Sequence, residues 1–299
     1  MVLCGRSSAV RLLRTSAIIL LCWLTQPAAS VRRPSSTPIA TKQPRFTLSR
    51  PFLSNYLNAS DEQPKLLMHR PGVGTTIIAC APSKNGITTT RSVFYQLAHP
   101  QAVTPTNPYD NSHFTWVDAL PLDEAYGLLT SERGVARIAV LRNPYERIAS
   151  AYHNKIVEPK DFDYVLDYVR ATCNFSTATN ITFDEFVTCV TSQSPRTVDR
   201  HFVPQVQWCG LNHIHYQHYL TTHNLAQQLV HVMESHQHTV YHIPRLNRAL
   251  GKHHLHWQSF YSEASRAMVE EYYATDFAFL AGLFGKVSLD VFWDQGLTV

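Results

Sequence analysis

Short apolar runs separated by longer mixed segments mark the folded part of the chain. Two of these runs, residues 75–81 and residues 138–141, are almost continuously apolar. Strands of a parallel sheet show this pattern because helices cover both of their faces. Each run is followed by apolar residues at helical spacing, which predicts two strand–helix units. We therefore expect an α/β fold, with a central parallel β-sheet flanked by helices.

The second run leads directly into a predicted helix. Asn143 is a good helix cap, and the proline after it suits the first helical position. Arg142 then lies at the carboxyl end of a strand, the edge at which open α/β sheets bind ligands. Arg147, Ser150 and Asn154 follow on one helix face at spacings of three and four. An arginine and a hydroxyl at this edge can bind one phosphate, and the alternative is an ordinary strand and helix with surface charges.

The first run leads into a loop, residues 82–90, and then into another predicted helix. Backbone N–H groups at a helix start and threonine hydroxyls form a cradle for phosphate, and Lys84 adds positive charge. The alternative is a plain βα loop, since the spacing of a Walker A loop is absent. The predicted phosphate-binding residues are Lys84, Asn85, Gly86, Ile87, Thr88 and Thr89.

The N-terminal part predicts a targeting segment and a stem. Three arginines precede the apolar residues 17–24, and small residues at 28–30 suit cleavage. The apolar part is shorter than the roughly 20 residues that span a bilayer, so residues 1–30 predict a cleaved signal peptide, with a short signal anchor as the alternative. Residues 31–65 are rich in Pro, Ser and Thr and predict a flexible stem, which leaves residues 66–299 as one folded domain.

Cysteines and glycosylation motifs indicate an oxidising compartment. Four cysteines follow the leader and allow three disulfide pairings, unless the cysteine that ends the first apolar run is a buried thiol. The absence of a CxxC pair argues against structural zinc, and a net charge of only +4 argues against nucleic-acid binding. The cysteines are Cys80, Cys173, Cys189 and Cys209, and the N-glycosylation motifs begin at Asn58, Asn174 and Asn180.

The string LRNPYERIASAYHNK, residues 141–155, closely resembles the 3′-phosphate-binding motif of Golgi carbohydrate sulfotransferases. That motif runs from an apolar strand through Arg-Asp-Pro-Phe-Glu-Arg to Ser-Ala-Tyr and a nearby Lys, and Asn143 replaces its Asp. The resemblance implies that Arg142 and Ser150 hold the 3′-phosphate of 3′-phosphoadenosine 5′-phosphosulfate (PAPS), the sulfuryl donor.

The loop at residues 82–90 resembles the 5′-phosphosulfate loop of the same family. Lys84, Gly86 and Thr88 fall in the family's order, which implies a catalytic role for Lys84 at the leaving oxygen. Ser83 is a departure, because it separates a proline and a lysine that are adjacent in the family. The threonine that contacts the donor is therefore left open.

The acceptor side rests on shorter matches. In related glycan sulfotransferases a His or Glu in or near residues 100–134 accepts the proton of the sugar hydroxyl, and His113 is the candidate base by position. Residues 201–209 resemble a family segment that borders the acceptor groove, which implies His201 and Gln205 as substrate-binding residues, with a buried structural role as the alternative. The rivals to the candidate base are Asp118, Asp123 and Glu124.

Further patterns complete the prediction. Thr182 and Glu185 form a capping box at the start of a helix. Residues 214–217 resemble a family strand without its Asp, and residues 269–277 resemble the family's C-terminal helix. Helices are also predicted at residues 121–129 and 162–169, and a last strand at 239–243, followed by a basic loop with Arg245, Arg248 and Lys252.

By this resemblance, which covers roughly residues 77–280, the chain is identified as a member of the Golgi carbohydrate sulfotransferase family, similar to chondroitin and dermatan 4-O-sulfotransferases of sulfotransferase family 2. The resemblance implies a P-loop-like sulfotransferase fold and metal-free, in-line transfer from PAPS to a glycan or proteoglycan hydroxyl. It also implies a Golgi-lumenal, single-pass type II protein, with secretion as the alternative. The alternative functions are a lumenal nucleotide-dependent kinase and a catalytically silent glycan-binding protein of the same fold.

Overall fold

A computed structural model describes residues 46–58, 64–101, 107, 109–159, 164–176, 180–240, 257–285 and 297–298. The predicted leader, most of the predicted stem and most of the predicted strand 239–243 lie outside these residues, as do Arg245, Arg248 and Lys252. Among the helices that are described, none is long and apolar enough to cross a membrane.

The described residues contain both strands and α-helices, and their bounds are as follows. The strands are β1 (Leu66–His69), β2 (Thr76–Cys80), β3 (Thr115–Trp116), β4 (Val135–Leu141), β5 (His218–Thr221) and β6 (Leu297–Thr298). The α-helices are α1 (Arg50–Asn58), α2 (Ile87–Ala98), α3 (Leu122–Thr130), α4 (Pro144–Tyr152), α5 (Tyr164–Cys173), α6 (Phe183–Thr191), α7 (Gln205–Cys209), α8 (Leu225–Ser235), α9 (Glu263–Tyr272) and α10 (Ala274–Phe284).

The described strands form one sheet in the order β3-β1-β2-β4-β5-β6. The central strands β2, β4 and β5 are parallel, whereas β1, β3 and β6 pair antiparallel at the edges. The predicted α/β fold with a parallel sheet is therefore confirmed for the centre of the sheet, and the antiparallel edges are an addition to it. The strand expected at residues 214–217 begins later, as β5.

Helices cover both faces of the sheet, which explains the continuous apolar runs. Every residue of β4 is buried. Its residues Ala136, Ile138 and Val140 pack on one face with residues of α2 and α8. Ala139 and Leu141 pack on the opposite face with residues of α1, α3, α7 and α10. A third apolar cluster surrounds α4 and is formed with residues of α5, α6 and α9.

The folded part begins before the predicted boundary at Leu66. Helix α1 packs into the core through Leu53, Tyr56 and Leu57, which are spaced by three and four residues. The Tyr56 hydroxyl also donates a hydrogen bond of 2.7 Å to the carbonyl of Trp208. Residues 50–58 of the predicted flexible stem are thus a packed helix, because this short apolar face is covered by distant residues.

Two disulfides join elements of the fold. Cys80 at the end of β2 is bonded to Cys209 of α7, and Cys173 of α5 is bonded to Cys189 of α6. The alternative of a buried Cys80 thiol is therefore wrong. The first bond ties a central strand to the segment that follows His201.

The C-terminal region differs from the single helix suggested by residues 269–277. The chain breaks at Tyr273 into α9 and α10. Asp276, in the first turn of α10, is fully buried, and it accepts hydrogen bonds from the backbone N–H groups of Gln205 and Val206, both at 2.8 Å. The first turn of α10 therefore holds α7 in place through Asp276.

Candidate active site

The two predicted phosphate-binding segments meet at the carboxyl edge of the parallel strands. The loop after β2 and Arg142 after β4 leave the sheet side by side, because β2 and β4 are paired neighbours. Arg142 Nη1 donates to the carbonyl of Lys84 at 2.7 Å. Lys84 Nζ in turn donates to Asn154 Oδ1, also at 2.7 Å. Two segments about 60 residues apart are thus in direct contact.

The loop after β2 has a fixed backbone shape that leaves the start of α2 uncapped. Lys84 and Gly86 have φ angles of 70° and 75°, in the left-handed region. A Cβ atom at Gly86 would displace the Leu225 side chain and would require an L-residue in the left-handed region, which favours glycine here. Gly86 provides no side-chain cap, and the first N–H groups of a helix have no intrahelical partner. This geometry suits an anion at the start of α2.

Asn85, a predicted donor contact, turns its side chain into the protein. It is fully buried, and Nδ2 donates to the carbonyl of Val140 at 2.9 Å and to Gln205 Oε1. Its backbone N–H donates to the carbonyl of Pro82 at 3.0 Å. The geometry therefore assigns Asn85 to holding the loop on β4, and a direct contact with the donor stays a prediction.

Arg142 is held at the loop but keeps one donor without a protein partner. Nη2 donates to Glu146 at 2.8 Å, while the buried Nε has no hydrogen-bond partner among the described residues. A buried donor of this kind costs free energy unless a ligand or water pairs with it. Ser150 is half-buried two turns into α4, whose start is capped by Asn143 as predicted. The binding of a 3′-phosphate by Arg142 and Ser150 stays a prediction, which this geometry suits.

Arg147 lies inside the protein, whereas Ser150 of α4 and Asn154, which follows α4, are half-buried. It is fully buried, with Nε donating to the carbonyl of Ser83 at 3.1 Å and Nη1 to the carbonyl of Val203 at 2.8 Å. Burial lowers the pKa of the guanidinium, although nearby tyrosines and Asp276 oppose this effect. Arg147 therefore anchors Ser83, the residue that separates the proline and the lysine of this loop.

The threonines at the start of α2 differ in exposure. Thr88 is buried and its hydroxyl lies 3.1 Å from that of Tyr109, whereas Thr89 is half-buried. Arg91, one turn later, donates to Asn111 Oδ1 at 3.1 Å. Burial and the nearby Arg200 lower the pKa of Arg91 to about 10.

His113 lies toward the far end of α2. Its ring makes an edge contact with Tyr95, with ring centroids 5.5 Å apart. Tyr95 is seven residues beyond Thr88, or about 10 Å along the helix. Nε2 of His113 lies 3.7 Å from Asp110 Oδ2. The role of His113 as catalytic base stays a prediction, and it requires the acceptor to lie along α2.

The rival carboxylates have structural partners. Asp118 accepts hydrogen bonds from the backbone N–H groups of Lys65 and Leu66 at 3.1 and 2.9 Å. Asp123 pairs with Arg50, and Glu124 pairs with Arg70. These contacts give all three rivals a role in fixing α1, α3 and β1.

His201 forms a pair with Asp199 that the sequence did not single out. Nδ1 of His201 lies 2.7 Å from Asp199 Oδ1, and both side chains are about 90 % buried. Burial lowers the pKa of His201, with the hydrogen bond to Asp199 opposing and the charges of Lys155 and Arg200 adding to it. Burial of Asp199 is outweighed by its bonds to His201, so the pKa of this carboxyl is lowered. A neutral imidazole oriented by a carboxylate can accept a proton.

Gln205 is occupied on both ends of its amide. Oε1 accepts from the backbone N–H of Arg142 at 2.9 Å and from Asn85 Nδ2, and Nε2 donates to the carbonyl of Arg142 at 2.9 Å and to Asp276 Oδ2 at 3.3 Å. Its predicted contact with substrate stays a prediction, and it would require one of these bonds to break.

Sequence reasoning missed Asp199, Asp276 and the inward direction of Arg147. Asp199 stands two residues before His201, and that spacing was the available signal. Asp276 and Arg147 bond to backbone groups of segments that are distant in the sequence, and no local pattern reveals such partners. Within the described residues, no group of three or more His, Cys, Asp or Glu side chains is placed to hold a metal ion.

The fold and the site together define an α/β protein in which two candidate phosphate-binding segments meet at the carboxyl edge of the parallel strands. The profile of the sulfotransferase family matches residues 75–281, which include both segments of the cleft. The chain therefore belongs to the sulfotransferase family, and membership supports sulfotransfer activity in general. No curated protein and no solved structure gives a significant match.

Proposed function

We propose that the protein is a PAPS-dependent carbohydrate O-sulfotransferase. The observation that carries the proposal is the contact between the two phosphate-binding segments, in which Arg142 binds the carbonyl of Lys84 and Lys84 binds Asn154. Members of the sulfotransferase family use PAPS in general, and its two phosphate-bearing ends need two cationic positions in one cleft. Arg142 and Lys84 supply these positions.

The donor would be held by groups that are already oriented. The buried Nε of Arg142 and the hydroxyl of Ser150 would bind the 3′-phosphate. Lys84, the start of α2 and the Thr88–Thr89 hydroxyls would bind the 5′-phosphosulfate. When bound, PAPS supplies an activated sulfuryl group. Glu146 and Lys84 hold Arg142 in place before binding, so little order has to be gained.

Transfer requires a bond from the acceptor oxygen to sulfur, as the bond from sulfur to the 5′-phosphate oxygen breaks. Negative charge develops on that leaving oxygen, and Lys84 is the cation placed to stabilise it. The acceptor proton passes to a base, for which we keep His113, with His201 as the imidazole that a carboxylate orients. A substitution at each histidine, tested by its pH–rate profile, distinguishes the two.

Location in the secretory pathway follows from the same proposal. Two disulfides are typical of proteins that fold in an oxidising compartment. The asparagines of the glycosylation motifs, Asn58, Asn174 and Asn180, are all exposed, as glycan attachment requires. We propose a Golgi-lumenal enzyme whose acceptor is a glycan or proteoglycan. The proposed arrangement is a leader at residues 1–30 and a catalytic domain that includes α1.

The first test is a thermal-shift titration of the purified full chain with 3′-phosphoadenosine 5′-phosphate, adenosine 5′-phosphate and ATP with Mg²⁺. A ligand that binds only the folded state at 100 times its Kd stabilises that state by about 2.7 kcal/mol. We expect a shift with the 3′-phosphorylated nucleotide and a much smaller one with the nucleotide that lacks the 3′-phosphate. No shift with the 3′-phosphorylated nucleotide would overturn the donor assignment.

A transfer assay then tests the reaction. PAPS with a labelled sulfuryl group is offered with chondroitin, dermatan and other galactose or hexosamine glycans, and labelled product is measured. A shift with ATP and Mg²⁺ alone would indicate a kinase. Donor binding without transfer to any glycan would indicate a catalytically silent glycan-binding protein.

A further inference from the structure

One buried side chain contacts both halves of the donor cleft. Gln205 bonds to the backbone N–H and carbonyl of Arg142, and it also accepts from the side chain of Asn85 in the loop after β2. Gln205 is only 1 % exposed. Its amide therefore holds the backbone of Arg142, at the end of β4, and fixes the loop after β2 relative to it.

A second buried group holds Gln205 itself. Asp276 accepts from the backbone N–H of Gln205 and Val206 at 2.8 Å and from Gln205 Nε2 at 3.3 Å. Burial raises the pKa of Asp276, which these hydrogen bonds and Arg147 oppose. A buried carboxylate with several donors keeps a defined geometry, because losing any one bond leaves a polar group unpaired. The start of α10 is thereby connected to the donor cleft.

We infer that Gln205, held by Asp276, is a positioning residue that aims Arg142 at the 3′-phosphate and couples it to the 5′-phosphosulfate loop. This inference rests on the proposed function. Arg142 carries the contact with the ligand, and Gln205 acts only through the backbone of Arg142 and through Asn85. A displacement of the order of 1 Å at such a residue is enough to cost a large factor in binding or rate.

The test compares Gln205→Met with Gln207→Met as its matched control. Gln207 has the same side chain on the same helix, but it is exposed and donates to the carbonyl of Pro195 outside the cleft. The readout is the ratio of Kd values for adenosine 5′-phosphate and 3′-phosphoadenosine 5′-phosphate, measured by calorimetry on the full chain. We expect this preference for the 3′-phosphate to fall about tenfold in Gln205→Met and to stay unchanged in the control.

A double substitution separates positioning from a general loss of stability. If Gln205 acts through Arg142, adding Gln205→Met to Arg142→Ala should change the affinity for the 3′-phosphorylated nucleotide by less than about twofold. A merely structural role would lower the melting temperature and leave the wild-type preference intact. Rescue is expected from Gln205→Glu only at a pH that protonates the new carboxyl, because the neutral acid can again donate to Arg142 or Asp276.

The outcomes are distinct. If the wild-type chain shows no preference for the 3′-phosphorylated nucleotide, the proposed function fails. If the wild type shows the preference and Gln205→Met keeps it, the positioning inference is overturned while the proposed function stands. Should Gln205→Met not fold, Asp276→Asn replaces it, since it removes one acceptor from the same network, and an unchanged preference in that folded variant overturns the inference.

Discussion

Arg142→Ala is the substitution that tests the cleft most directly. It removes the Nε donor that is buried without a partner and the bond from Nη1 to the carbonyl of Lys84. A hydrogen bond between a charged group and a phosphate contributes about 1.5–3 kcal/mol. The loss of one such bond corresponds to a Kd between about 10 and 150 times higher. The Lys84 carbonyl also loses its hydrogen bond in this variant. This loss should lower the stability of the protein only slightly, because the loop is half-exposed.

Calorimetric titration with 3′-phosphoadenosine 5′-phosphate measures this change. Arg133→Ala is the matched control, since Arg133 is exposed and precedes the same strand at its opposite end. We expect the control to bind as the wild type does. Adenosine 5′-phosphate should bind both variants with nearly the same affinity, because it lacks the 3′-phosphate that Arg142 is proposed to bind. Equal weakening with both nucleotides would refute the assignment of Arg142 to the 3′-phosphate.

Three further predictions address turnover, the disulfides and pH. Lys84→Ala should lower kcat by about 10²–10³-fold, with a smaller change in donor Kd, because Lys84 is assigned to the charge that develops on the leaving oxygen; steady-state kinetics measure it. Cys209→Ser should lower the free energy of unfolding by about 5 kcal/mol and Cys189→Ser by about 3, since the bonds they break close loops with sequence separations of 129 and 16; urea unfolding measures both. Stability should fall between pH 6.5 and about 4, because burial lowers the pKa of His218 to about 4, below its usual 6.5 in the unfolded chain; thermal melts over this range measure the loss.

Each of these predictions has its own control. An unaltered kcat in Lys84→Ala would remove the lysine from the chemistry, and retained donor binding shows that the variant is folded. Equal destabilisation by the two serine substitutions would contradict the loop-length argument. His218 is 3.0 Å from His236 Nε2, and protonating both rings is unfavourable. His218→Gln should therefore lose less stability on acidification than the wild type, and an equal loss would exclude this histidine as the source.

The sequence by itself determined the elements whose pattern is local. The apolar run at residues 138–141, the cap at Asn143 and the capping box at Thr182 all appear in the structure as predicted. They could be predicted because helix caps act within a few residues and because a strand covered on both faces must be apolar throughout. The contact between the two predicted phosphate-binding segments agrees with the rule that parallel strands present their carboxyl ends at one edge.

Only the tertiary structure decided how the cleft is held together. Arg147 carries the same charge as Arg142 and was predicted to share a face with Ser150 and Asn154, yet it is buried and donates to the carbonyls of Ser83 and Val203. Gln205 and Asp276 meet across 71 residues of sequence, where no spacing rule operates. Helix α1 likewise depends on a core that distant residues complete. Local patterns fix which segments form strands and helices, whereas the direction of a buried polar side chain depends on partners that only folding brings close.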